Sequence, residues 1–124
     1  MATVLVIDDD ETIRSLVAHK LETQGHTVVT EADGDAGLNR ARELTPDVIV
    51  VDWMMPNRTG IEVCRGLRAD PTTSAAHIIL LTAKAQEDDI ERGYESGVDD
   101  YITKPFSPRE LLSRVESALA QKRP

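Results

Sequence analysis

The 124-residue sequence alternates five times between a short apolar run and a longer stretch in which apolar residues recur at helical spacing. Residues 4–7 and 48–51 are continuous apolar runs rich in branched side chains, a pattern typical of strands that are buried on both faces. After the first run, Ile13, Leu16 and Leu21 fall on one face of a helix. This alternation predicts repeated β–α units.

The predicted elements follow one another without an internal repeat, a low-complexity tract or a dividing linker. Five strands are predicted at 4–7, 27–32, 48–51, 78–81 and 101–103, and the four helices after the first at 35–44, 60–69, 87–96 and 107–121. Continuous apolar strands joined by helices form a parallel sheet covered on both faces, and right-handed crossovers favour a doubly wound α/β fold. The large apolar residues of helix 87–96 are Ile90 and Tyr94 alone, so we expect this helix to be weakly anchored and mobile.

The composition excludes several classes of function. The formal net charge is −8, and an acidic surface repels phosphate backbones, so we expect this domain to bind no nucleic acid. The apolar runs all fall short of the roughly 18 residues that a membrane span needs. The single cysteine, Cys64, cannot form an internal disulfide and lies at a helix-face position typical of a core. We therefore expect one soluble, cytoplasmic domain over residues 1–124, with residues 121–124 a tail or the start of a linker.

Polar side chains stand where four of the five apolar runs end. Asp8 and Asp9 follow the first run, Asp52 follows the third, Thr82 the fourth and Lys104 the fifth. The carboxyl ends of parallel strands meet at one rim of a sheet, which is where ligands bind. Helix capping explains none of Asp52, Thr82 and Lys104, so their common placement predicts a functional site.

The chemistry that fits this set is Mg²⁺-assisted transfer of a phosphoryl group to a carboxylate. Mg²⁺ prefers oxygen ligands and is often held by one or two carboxylates, a role open to Asp9 and Asp52 with Asp8 orienting them. A carboxylate can attack phosphorus and form an acyl phosphate. The Lys104 ammonium and the Thr82 hydroxyl would then stabilise the charge that accumulates on the transferring oxygens.

The same residues carry a resemblance to a known family. The matching elements are the pair Asp8-Asp9, the run Asp52-x-x-Met55-Pro56 followed by Gly60, the pair Thr82-Ala83, and the run Tyr101-x-x-Lys104-Pro105-Phe106. In this order and at consistent strand ends, they make the chain resemble the receiver domain of bacterial two-component response regulators over essentially its whole length. The resemblance implies a flavodoxin-like strand order 2-1-3-4-5 with helices on both faces.

The resemblance also implies a role for each matching residue. Asp52 would accept the phosphoryl group, Lys104 would bind the phosphate, and Thr82 and Tyr101 would form the switch pair. The implied Mg²⁺ site is formed by oxygen ligands of four residues, namely the carboxylates of Asp8, Asp9 and Asp52 and the backbone carbonyl of Met54. We therefore predict a signalling protein and not an enzyme, with its own phosphorylation and dephosphorylation chemistry. Its phosphoryl donor would be a sensor histidine kinase or a histidine phosphotransfer protein.

Two functions of other classes are open from the residues alone. The stretch after the first strand spells D-x-D-x-T, the nucleophile motif of haloacid-dehalogenase-type phosphatases. In that scheme Asp8 would be phosphorylated, and Asp99 and Asp100 would be a late metal-binding pair, although Lys104 follows this pair and does not precede it. A flavin-binding electron carrier has the same fold class, but four consecutive acids after the first strand would repel a flavin phosphate.

The output of the predicted switch is open between a free-standing shuttle and the N-terminal receiver of a DNA-binding transcriptional regulator. Winged-helix regulators of this family dimerise through a set of salt bridges, and this sequence keeps four residues at matching places: Asp99, Asp100, Glu110 and Arg114. Ile90 and Gln121 replace the lysine and arginine that complete the set, so we expect mainly a monomer. An exposed Ile90 would offer a hydrophobic face to another partner, which favours the shuttle.

Further expectations concern single positions. The bond Lys104–Pro105 is predicted to be cis, because cis bonds are essentially confined to X–Pro and the resemblance places one here. Trp53 is expected at the rim of the site, where its indole would report on metal binding. Arg58 would add a positive charge near the same rim. Met54 and Lys84 occupy the positions at which the family tunes the lifetime of the phosphate.

Overall fold

A computed structural model describes residues 2–83 and 86–121, so Lys84 and residues 122–124 of the predicted tail lie outside the described part of the chain. Strands and helices alternate in the order β1 (Thr3–Ile7), α1 (Glu11–Glu22), β2 (Thr27–Glu31), α2 (Gly34–Leu44), β3 (Val48–Asp52), α3 (Gly60–Ala69), β4 (His77–Thr82), α4 (Glu87–Glu95), β5 (Asp100–Thr103) and α5 (Pro108–Gln121). The predicted alternation is confirmed, and the predicted ends differ from the observed ones by no more than one residue.

The five strands form one parallel sheet in the order β2-β1-β3-β4-β5, which confirms the predicted order. The central strands are the apolar runs of the sequence, and every residue of β3 is buried. The register aligns the carboxyl ends of the strands, since Ile7 pairs with Val51, and Asp52 pairs with Leu81. Thr82 pairs with Thr103 at the end of β5. The residues that close these strands therefore share one rim of the sheet.

Each face of the sheet has its own hydrophobic core, because successive residues of a strand point to opposite faces. Val17 of α1 and Leu111 of α5 belong to the core of one face. Leu38 of α2 and Cys64 of α3 belong to the core of the other. The predicted core position of Cys64 is confirmed, and burial raises the pKa of its thiol to about 12. In the described part of the chain, none of the helices has the length and apolar character to span a membrane.

The starts of the helices differ in how well they are capped. The side chains of Asp10, Asp33 and Thr59 accept backbone hydrogen bonds at the starts of α1, α2 and α3. Gln86 makes no such bond at the start of α4. Within α4, all of whose residues are described, Gly93 is the buried residue. These features agree with the weak anchoring predicted for α4, whose mobility stays a prediction.

Two predictions about apolar side chains are wrong. Trp53 is 3% exposed and does not lie at the rim, because the alternation of β3 continues to it and places it on the same face as Ile49 and Val51. Ile90 is partly buried because it packs against the core of that face, so it is not the exposed hydrophobic residue that was predicted. The large hydrophobic residue that α4 does expose is Tyr94.

Candidate functional site

The carboxyl ends of β1, β3 and β5 bring together two acids and a lysine. Asp8 directly follows β1, Asp52 ends β3, and Lys104 directly follows β5. The Lys104 Nζ atom lies 3.1 Å from Asp52 Oδ1 and 3.5 Å from Asp8 Oδ2. At these distances the ammonium is a direct counter-charge to both carboxylates. Both carboxylates are buried, so they need such a partner.

Asp8, Asp9 and Asp52 form a group that could hold a metal ion, since one carboxylate oxygen from each lies within 4.8 Å of the others. Asp8 and Asp52 are buried, whereas Asp9 is exposed and opens the group to solvent. An all-oxygen donor set with room for water fits Mg²⁺. Met54 lies two residues after Asp52 and its side chain is exposed. The role of its backbone carbonyl as a metal ligand stays a prediction.

The site concentrates negative charge in a buried place. Burial, followed by repulsion from Asp8, raises the pKa of Asp52 to about 6, although Lys104 opposes this shift. Burial also raises the pKa of Asp8, opposed first by the backbone N–H of Asp10, which donates to Asp8 Oδ1 at 2.9 Å. A divalent cation would relieve the repulsion, which is a second reason why the residues fit a metal.

Lys104 is aimed at the two acids by the backbone that carries it. Its N–H donates to the carbonyl of Thr82 at 2.7 Å, and the peptide bond to Pro105 is cis, as predicted. Burial alone would lower the pKa of Lys104, but its hydrogen bonds and attraction to Asp52 and Asp8 together outweigh that effect and raise the pKa. The lysine is therefore charged at neutral pH.

The predicted switch residues are in contact. Thr82 is fully buried at the end of β4, and its side chain shares a hydrogen bond with the Tyr101 hydroxyl. Tyr101 is 9% exposed, and its ring meets the Trp53 ring edge-on with centroids 6.4 Å apart. Tyr101 thus occupies the inward position in this structure.

Arg14 is a neighbour of the site that the sequence reading missed. Its guanidinium Nη1 donates to the carbonyl of Asp8 at 2.8 Å. Its position in the first turns of α1, a helix that begins three residues after Asp8, is the sequence feature from which this contact could have been predicted. Arg58, in contrast, donates from Nε to Asp35 of α2 at 2.7 Å, so its predicted charge near the rim is paired with a neighbouring helix.

The residues required by the phosphatase alternative are not brought together. Asp100 begins β5 and pairs in register with Ile79, at the opposite end of the strands from Asp8. Asp99 precedes it and accepts a hydrogen bond from the Arg68 guanidinium at 2.6 Å. Asp99 and Asp100 therefore cannot join Asp8 around one metal ion.

Comparisons with known proteins point to one family. The family profile described as "Response regulator receiver domain" matches residues 4–116. The chain is 41% identical over 121 residues to the phosphate regulon transcriptional regulatory protein PhoB of Rhizobium meliloti (strain 1021), covering 98% of this chain and 53% of that protein. It is 47% identical over 116 residues to the alkaline phosphatase synthesis transcriptional regulatory protein PhoP of Bacillus subtilis (strain 168), covering 94% of this chain and 48% of that protein. The chain thus spans about half the length of these curated relatives.

Solved structures give the same result. The chemotaxis protein CheY4 of Vibrio cholerae has a TM-score of 0.90 at 34% identity, with 95% of this chain and 98% of that chain covered. The receiver domain of the Francisella response regulator 1452 has a TM-score of 0.91 at 35% identity, with 99% of this chain and all of that chain (100%) covered. The similarity extends over nearly the whole fold in both comparisons.

Proposed function

Because the chain belongs to the family of response regulator receiver domains, we propose that it is a signalling switch in which Asp52 accepts a phosphoryl group. The observation that carries this proposal is the contact of the Lys104 ammonium with buried Asp52, 3.1 Å away, beside the carboxylates of Asp8 and Asp9. This set combines a nucleophile, a fixed positive charge and oxygen ligands for a metal ion.

In the proposed reaction, a carboxylate oxygen of Asp52 forms a bond to phosphorus while the bond from phosphorus to the donor breaks. The donor's leaving group departs with the electron pair of that bond. The Lys104 ammonium stabilises the charge on the phosphoryl oxygens, and Thr82, which ends β4 at the same rim, would donate its hydroxyl to these oxygens. The product is an acyl phosphate, which water can hydrolyse.

The cofactor of the proposed reaction would be Mg²⁺, which Asp8, Asp9, Asp52 and the backbone carbonyl of Met54 would hold. When bound, it would neutralise the carboxylates and polarise the phosphoryl oxygens. The chain's own contribution is to position these ligands, with Asp8 fixed by the N–H of Asp10 and by Lys104.

We propose a sensor histidine kinase or a histidine phosphotransfer protein as the phosphoryl donor. The chain would act in the cytoplasm as a signalling protein, with phosphorylation and dephosphorylation as chemistry on itself and not on a free substrate. Its sequence identity with transcriptional regulators supports an output through a DNA-binding domain. Its structural similarity to a chemotaxis protein supports a free-standing shuttle. Both outputs are consistent with a phosphorylation-dependent change at α4 and α5.

Intact-mass measurement after incubation with Mg²⁺ and acetyl phosphate tests the phosphoacceptor. The wild-type chain should gain one phosphoryl group, Asp52→Asn should gain none, and Asp35→Asn should behave as the wild type because Asp35 is an exposed partner of Arg58. Full incorporation in Asp52→Asn would overturn the assignment. Loss of incorporation in Asp8→Asn, with Asp52→Asn still phosphorylated, would instead support the phosphatase-type nucleophile.

A further inference from the structure

Three consecutive residues of α4 lie on the aromatic residues beside the site. The guanidinium carbon of Arg92 is 5.5 Å from the centroid of the Trp53 ring. The Tyr94 ring stacks on Tyr101 with centroids 6.2 Å apart and an interplanar angle of 29°. Between them, Gly93 is buried so closely that a Cβ atom there would lie 2.9 Å from Tyr101 Cε2. This part of α4 therefore packs on Trp53 and Tyr101.

Trp53 is a rigid platform for this contact. It directly follows Asp52, its N–H donates to the carbonyl of Leu81 at 2.9 Å, and its carbonyl accepts from the N–H of Gly60 at 2.8 Å. A guanidinium over an aromatic face is attracted by the ring quadrupole, most strongly over an indole. Arg92 therefore connects α4 to a residue whose backbone is held on both sides, next to Asp52.

The remainder of α4 provides few other anchors. Its first turn carries three acidic residues, and its N-cap residue Gln86 makes no side-chain cap hydrogen bond. Ile90 packs only partly against the core. The contact of Arg92 with Trp53 is therefore one of a small number of contacts that hold this helix in place, together with those of Gly93 and Tyr94 with Tyr101.

We propose that Arg92 is a positioning residue that holds α4 against Trp53 and thereby stabilises the inward conformation of Tyr101. Tyr94, two residues further along the same helix, covers Tyr101, so loss of the Arg92 contact would let both move away from the site. The inference rests on the proposed function, because the inward conformation of Tyr101 is a state of the switch only if Tyr101 is a switch residue. The contact itself is present without phosphorylation and can be measured in the unmodified protein.

Amide hydrogen exchange of α4 in the unmodified chain tests the proposal. Exchange in Arg92→Ala should be faster by about two- to fivefold, the factor expected from a cation–π contact at an exposed site. Arg92→Lys should restore part of the protection because an ammonium also binds an indole face. The matched control Arg65→Ala, an exposed arginine of α3, should leave α4 unchanged. Alanine favours helix more than arginine does, so intrinsic helix propensity alone would slow the exchange.

A double-mutant cycle separates the contact with Trp53 from any interaction of Arg92 within its own helix. In a Trp53→Leu background, which has no aromatic face, Arg92→Ala should no longer change exchange in α4, and Trp53→Met provides a second background without an aromatic ring if the leucine variant does not fold. An undiminished effect in these backgrounds would overturn the proposal, and so would equal exchange in Arg92→Ala and Arg65→Ala. Failure of the proposed function can be distinguished from failure of this inference. If the proposed function fails, amide exchange in α4 of the wild-type chain would not respond to Mg²⁺ and beryllofluoride.

Discussion

Asparagine in place of Asp52 should make the metal-free protein more stable at neutral pH, because the wild-type carboxylate is ionised in a buried place. Asp52 is 4% exposed, and burial, followed by the charge of Asp8, raises its pKa from an ordinary 3.8 to about 6. The folded state therefore binds this proton more tightly than the unfolded state does. Stability contributed by the protonated group is present below the unfolded pKa and is lost as the pH rises towards the folded pKa.

The two pKa values determine the size of the effect. The difference between 3.8 and about 6, at about 1.4 kcal/mol for each pH unit, gives about 3 kcal/mol of lost stability above pH 7. The loss is small at pH 4 and about half complete at pH 5. The amide side chain of the Asp52→Asn variant carries no charge, so this variant should gain up to about 3 kcal/mol in the free energy of unfolding at pH 7.5. For a domain of this length, that corresponds to roughly 10 °C in Tm.

Urea unfolding followed by circular dichroism, at pH 7.5 and pH 5.0 with a chelator, measures this gain. The matched control Asp35→Asn removes an exposed carboxylate paired with Arg58, and should change stability by no more than about 1 kcal/mol. Added Mg²⁺ should narrow the difference between Asp52→Asn and wild type, because it binds the folded wild-type site. An Asp52→Asn variant no more stable than wild type at pH 7.5, or one with the same gain at both pH values, would refute the reasoning.

Three other changes test the switch and its output. Thr82→Ala should still accept phosphate but lose the phosphorylation-dependent change in amide exchange of α4. The reason is that the hydroxyl that would link the phosphoryl group to Tyr101 is missing. Exchange changes that persist in this variant would refute the coupling through Thr82. Lys104→Met should slow phosphorylation by acetyl phosphate by about a hundredfold, measured by intact mass, because it removes the fixed charge 3.1 Å from Asp52; an unchanged rate would exclude that role. Sedimentation velocity with Mg²⁺ and beryllofluoride should show mainly a monomer at low micromolar concentration. Ile90 and Gln121 remove two charge pairs of the family's dimer interface, and each surviving surface pair contributes only about 0–1 kcal/mol. A dimer under these conditions would contradict the prediction.

The sequence alone determined the elements and the residues that share the rim, while the order of the strands in space was predicted through the family resemblance. Helix and strand follow from the local period of apolar residues, which needs no knowledge of distant contacts. Asp8, Asp52 and Lys104 could be assigned to one site because parallel strands align their carboxyl ends, so the end of each apolar run marks the same edge. The cis bond before Pro105 was likewise predicted, through the family resemblance.

Only the tertiary structure decided which way the side chains next to these positions turn. Trp53 is adjacent to the rim in sequence, yet the pleat of β3 directs it into the core. Arg58 pairs with α2 and not with the site, and Ile90 packs where an exposed face was predicted. The contact of Arg92 with Trp53 joins α4 to the end of β3, and local patterns carry no signal for it. Such contacts depend on the distance and angle between elements that are far apart in the chain, which packing of the whole core determines.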